Sequence, residues 1–246
     1  MNKLFRNQLV AALTTAVLLP WSATGFSMTR AQAEAVVNSP ARTPDERLDD
    51  RRNPVELLLF TGVEPGMKVA DIDAGGGWTS QLMARAVGPT GKLYSRTSSN
   101  RVEELQKQLN DLGLKHAIAV GRDMTDPLPP EVNDLDIVIV QFAYHHLITR
   151  PEEIRQQAYA NVMKSLKPGG VFIVVDTQAK NGAGPETGNT IHRLAPDLMR
   201  KDLEKAGFRF VAAADYLQNP KDPLDVSGRE VEGTPSAFVH KYQKAM

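Results

Sequence analysis

The chain has 246 residues, balances 29 Lys and Arg against 29 Asp and Glu, and contains no cysteine. Zero net charge leaves no basic footprint for nucleic acid and no polybasic arm for a membrane, which directs attention to a small-molecule substrate. The missing thiols exclude disulfide staples, thiol catalysis and cysteine metal sites, so the fold must rest on its core.

Lys3 and Arg6 precede the apolar run LVAALTTAVLLP, and Ala31-Gln32-Ala33 offers a small-x-small cleavage site. That grammar predicts a signal peptide over residues 1–33 and an exported, periplasmic chain. Leu9 to Leu19 is short for a bilayer span, so no stable membrane anchor is expected after cleavage. Residues 34–52, with Pro40, Pro44 and a run of charges, read as an exposed N-terminal arm with a helical tendency near DERLDDRR. Residues 53–246 suffice for one domain with a sizeable core.

NPVELLLFTGVEPG reads as a Pro-initiated helix with Val55, Leu58 and Leu59 on one face. Val69 to Ile72 form an apolar run of buried-strand type, Gly75-Gly76-Gly77 make a turn, and Leu82, Met83, Ala86 and Val87 follow at helical spacing. A strand feeding a helix through glycines aims free N–H groups at the crevice beyond the strand, which suits an anionic or nucleotide-like ligand. LYSRT is a second strand, RVEELQKQLNDLG an amphipathic helix stopped by Gly113, and AIAV a third strand. DIVIV at 136–140 is an apolar fourth strand. PEEIRQQAYANVMKSLKPGG reads as a long helix ending in a Pro-Gly-Gly turn, with VFIVVD as the fifth strand. APDLMRKDLEKAGF adds a helix, and FVAAADYL and SAFVHKYQ are two closing strands, the last antiparallel. The alternation predicts an α/β fold with a doubly wound, mostly parallel sheet.

VADIDAGGG, FAYHHL, LKPGGVFIVVD and LEKAGF, in this order and spacing over roughly residues 53–243, resemble the class I S-adenosylmethionine-dependent methyltransferases and their seven-stranded Rossmann-like sheet. GGGW, His192-Arg193, QNPKDP and the closing Gly233, Thr234 and Phe238 are similar to a group of predicted methyltransferases carrying signal peptides. The resemblance implies S-adenosylmethionine as cofactor and a small-molecule methyl acceptor. It places Asp71 on the cofactor's amine, the Gly75–Gly77 turn on its carboxylate, Asp123 on the adenine, and Gln141 and Phe142 beside the methionine; read from the residues alone, Asp71 could instead cap the local backbone and Asp123 a turn. In the same pattern Tyr144 and His145 face substrate. From the residues themselves, His192 and Arg193 follow a glycine-rich loop, KNGAGPETGN, that could lie over the site as a lid. His145 is the candidate base and Arg193 the clamp for an acidic substrate group.

Two positions depart from the pattern. Asp73 stands where the superfamily usually has glycine, and its carboxylate offers the cofactor's amine a second partner. Thr97 stands where an acid usually grips the ribose hydroxyls; losing charge-assisted bonds of about 1.5–3 kcal/mol weakens binding roughly tenfold to a hundredfold. An exported pseudoenzyme or binding protein that has lost the donor is the alternative function. An NADP-dependent oxidoreductase, with Arg96 on a ribose phosphate, is a weaker one. Adjacent side chains such as His145 and His146 diverge as a rule, so no metal site is expected. The sequence leaves the oligomeric state open.

Overall fold

The computed structural model describes residues 28–42 and 45–244. Apart from residues 28–33, the expected leader therefore lies outside the described residues. Seven strands, β1 (Lys68–Asp71), β2 (Lys92–Thr97), β3 (Ala117–Gly121), β4 (Leu135–Gln141), β5 (Leu166–Thr177), β6 (Phe208–Ala214) and β7 (Ala237–Lys244), form one sheet in the order β3-β2-β1-β4-β5-β7-β6. The first five pair in parallel, and β7 runs antiparallel to β5 and β6. This is the expected doubly wound, Rossmann-like arrangement.

Nine α-helices are described: α1 (Arg30–Val37), α2 (Glu46–Arg52), α3 (Pro54–Thr61), α4 (Trp78–Val87), α5 (Val102–Asp111), α6 (Tyr144–Ile148), α7 (Glu152–Ser165), α8 (Thr187–Thr190) and α9 (Pro196–Lys205). The pleat of β4 divides the core. Ile137 and Ile139 pack with Leu58, Leu82 and Leu105 of α3, α4 and α5, whereas Val138 and Val140 pack with Tyr159 of α7 and Leu203 of α9. Burial of both faces explains why the central strands read as unbroken apolar runs.

Two expectations change. The segment KPGG is not a turn between helix and strand: α7 ends at Ser165, and β5 begins at once, pairing Leu166 with Leu135 before a register shift leads to Val171 beside Ile137. Segment 34–52 is only partly the exposed arm expected: Val36, Val37 and Leu48 pack against the core, and the Arg42 guanidinium is buried in a fork to Asp49. Helix α1 starts on a capping box of Thr29 and Gln32, so the small-x-small sequence Ala31-Gln32-Ala33 lies within a helix.

Candidate functional site

The turn after β1 is held from several sides. Gly75 and Gly77 adopt φ of 53° and 82°, which admit glycine readily. Gln108 of α5 donates from Nε2 to the Gly76 carbonyl at 3.0 Å. A Cβ at Gly75 or Gly76 would meet nothing within 4 Å, so their backbone faces open space, and a cavity of about 310 Å3 lies there. Asp73, Gly75, Gly76, Gln141 and Phe142 line it together with Asp45, Leu48, Arg52 and Trp78. Five of the nine expected cofactor residues thus meet at one crevice beyond the carboxyl ends of β1 and β4.

The other four, Asp71, Gly77, Thr97 and Asp123, lie outside its wall. Asp71 is fully buried, accepting from Ser80 Oγ at 2.7 Å and from the Asp73 N–H at 3.3 Å. Burial pushes its carboxyl up to about 7, although the Ser80 bond opposes this. Asp71 therefore braces the turn from behind, outside the cavity wall. Gly77 is the N-cap of α4, packed beside Gln108 and Leu105. Thr97 is buried at the end of β2. Asp123 caps its own turn, its Oδ1 accepting from both the N–H and the hydroxyl of Thr125.

Asp73 is the expected cofactor carboxylate that lines the crevice, where Asp45 at the start of α2 is a second acid. Arg96 of β2 reaches Asp73 at 3.2 Å while donating from Nε to the Arg122 carbonyl, so Arg96 is engaged internally and not held out toward a phosphate. Burial raises the Asp73 carboxyl above its ordinary value, and Arg96 pulls the other way.

Sequence reasoning missed what closes the crevice. Asp49 of α2 accepts from the Trp78 indole N–H at 2.8 Å and from the buried Arg42. The Arg52 guanidinium lies 5.0 Å from the Trp78 ring and 5.1 Å from the Phe142 ring. Its Nε is buried without a hydrogen-bond partner among the described residues, in a wall where an anionic group would supply one. The only sequence signal was Trp78 itself, because a buried indole N–H needs an acceptor.

A second cavity, of about 530 Å3, adjoins the first through Phe142, and His145, Ile191, His192 and the 227–235 loop form its wall. Phe142 holds φ at 56°, a strained value for a bulky residue, with its N–H bonded to the Val175 carbonyl. His145 is buried; its Nδ1 lies 2.8 Å from Asp176 Oδ1, and its backbone N–H donates to the other carboxylate oxygen. Asp176, at the end of β5, thereby fixes the imidazole's orientation.

Two expected substrate residues are elsewhere. Tyr144 points into the second core, 5.6 Å from the Phe172 ring and 5.9 Å from that of Tyr159. The turn of α6 sends its neighbour His145 to the cavity instead. Arg193 is fully buried, forking onto Asp222 at 2.9 and 3.1 Å and donating to the carbonyls of Val226 and Gln178. Burial raises the Asp222 carboxyl, but the Arg193 fork and the N–H groups of Leu224 and Ser236 outweigh it and hold the group below its usual value. Arg193 is thus a strut for the β6–β7 loop, not a clamp for substrate. QNPKDP serves the same loop, with Asn219 Nδ2 donating to the Glu232 and Thr234 carbonyls.

Residues 69–170 match the family model described as a methyltransferase domain. The ubiquinone/menaquinone biosynthesis C-methyltransferase of Shewanella pealeana is 27% identical over 116 residues, which are 47% of this chain and 44% of that protein. The chain thus spans less than half of that relative's length. A solved S-adenosylmethionine-dependent methyltransferase from Aquifex aeolicus superposes with a TM-score of 0.62 at 19% identity, covering 88% of this chain and 98% of that one. The [4+2]-cyclase SpnF superposes with a TM-score of 0.58 at 14% identity, covering 82% and 79% respectively. The fold is the Rossmann-like methyltransferase fold, and the domain match supports the class I superfamily.

Proposed function

We propose that this chain transfers a methyl group from S-adenosylmethionine to a small molecule held in the cavity beside His145. The observation that carries this reading is the pair of adjoining cavities, one at the glycine turn and one at His145, with Phe142 in both walls. The first suits the amino-acid end of the cofactor. Arg52, with its unpartnered Nε, and the open Gly75-Gly76 backbone would hold a carboxylate, and Asp73 would hold an ammonium. No acid serves the ribose from position 97, so the charge-assisted contacts concentrate at the amino-acid end.

When bound, the cofactor supplies an electrophilic methyl group on a sulfonium. The chain's own part is alignment and exclusion of water: α2 covers the first cavity, and the strained Phe142 backbone separates donor and acceptor spaces. His145, oriented by Asp176, holds a ring nitrogen able to take the proton of a hydroxyl or carbon acid. The C-methyltransferase name of the Shewanella relative makes carbon acids of quinol type the first acceptors to try. The basic start and the apolar run LVAALTTAVLLP, which precede helix α1, support export, and we assign the chain to the periplasm on that ground.

The direct test is acceptor-dependent formation of S-adenosylhomocysteine with a panel of quinols and phenols. Turnover in the wild type, falling about 10²-fold or more in His145→Ala, is expected. Turnover that His145→Ala leaves unchanged would remove the base, and a donor-saturated chain that methylates no member of the panel would contradict this acceptor class.

A further inference from the structure

We propose that His145, His146 and His192 form a binding site for one divalent transition-metal ion, zinc-like in preference, on the wall of the larger cavity. The inference goes beyond methyl transfer and does not depend on it. The three imidazoles bring their ligating nitrogens within 4.8 Å of one another, with ring centroids 4.1, 5.5 and 5.6 Å apart. Neighbouring side chains usually diverge, yet the short helix α6 aims His145 and His146 to the same point. A tetrahedral zinc with bonds of about 2.0–2.1 Å needs donor nitrogens roughly 3.3 Å apart, so modest rotation of the two exposed rings, His146 and His192, completes the set.

Two further features fit a ligand set better than a chance cluster. His145 has the carboxylate partner that metal-binding histidines commonly keep: Asp176 takes Nδ1 and leaves the other nitrogen for the metal. His192 sits at φ 53°, a costly conformation that persists where the surroundings enforce it. The enforcement is visible at Gly188 in α8, where a Cβ would lie 2.1 Å from the His145 carbonyl oxygen. Only a glycine there lets the loop settle on α6 and deliver His192.

Three imidazoles select zinc, copper, iron or nickel over magnesium or calcium, and three protein ligands leave a coordination position for a small molecule. His145 and His192 line the cavity, so an oxygen-bearing acceptor could take that position. A metal on His145 would replace its service as a base by polarisation of that oxygen.

The test uses the untagged full chain, stripped with a chelator, desalted and titrated with ZnCl2 and, separately, CoCl2. One zinc per chain with micromolar or tighter affinity is expected, as is the intense visible absorption of tetrahedral cobalt. His146→Ala and His192→Ala, both at exposed positions, should weaken zinc binding at least a hundredfold, and Asp176→Asn about 10- to 100-fold. Absence of stoichiometric zinc binding and of the cobalt bands in the folded wild type would overturn the site, even if a variant failed to fold. Unchanged affinity in both histidine variants would overturn it equally. S-adenosylmethionine binding to the metal-free chain is measured separately, so either conclusion can fail alone.

Discussion

Asp71 carries an electrostatic load that a pH series can read. Its folded pKa, about 7, is raised from the ordinary 3.8. Between those values the folded chain binds more protons than the unfolded one, so this group makes stability fall as pH rises through that window. The ceiling is about 4 kcal/mol, from about 1.4 kcal/mol per pH unit. Asp71→Asn should therefore gain on the wild type by a few kcal/mol in urea melts between pH 5 and pH 8; a constant difference between the two proteins would contradict the assignment. Arg193 and Asp222 behave in the opposite way. Breaking a buried pair by Asp222→Ala leaves a guanidinium without its counter-charge and should cost about 3–5 kcal/mol, whereas a loss near zero would show that the strut is not needed. Asp71 and Arg193 both looked like ligand groups in the sequence, because a buried acid and a buried cation carry the same letters as exposed ones.

At the scale of elements, the strands were legible and the cover over them was not. Strands β1, β4 and β5 are buried on both faces, which leaves an apolar signature in the letters alone. Helix α2 has no such stripe: ERLDDRR is held by Asp49, Arg52 and Trp78, whose pairing spans about 29 positions and appears only in three dimensions. Asp49→Ala should orphan the Trp78 N–H and the buried Arg42, cost about 3 kcal/mol and open α2 first. Tryptic cleavage at Arg51 or Arg52 under native conditions reads that opening, and equal protection in wild type and variant would contradict it. Gly188→Ala tests the seat of α8 on α6. The clash with the His145 carbonyl should cost about 1–3 kcal/mol and displace His192, seen as a lowered Tm together with weaker zinc binding; an unaltered Tm would show that the loop is not seated there.

For the whole molecule, order and spacing of motifs were enough to name the sheet, because parallel crossovers allow few topologies. The site was legible only in part. Asp73, Gly75, Gly76, Gln141 and Phe142 meet at the crevice as expected, but Asp71 and Gly77 serve the turn's internal bonding. Tyr144 was misassigned because the loop after β4 is functional while the helical turn there alternates cavity and core. The similarity to a [4+2]-cyclase is a reminder that this fold hosts more than one chemistry, so donor binding must be measured on this chain. The most direct measurement is calorimetric titration of the folded, untagged chain with S-adenosylmethionine and S-adenosylhomocysteine, with NADP as control. One-to-one heat at micromolar concentrations for both sulfur compounds, weakened about tenfold or more by Arg52→Ala and absent for NADP, is the expected result. No heat with either sulfur compound would contradict donor binding at the glycine turn.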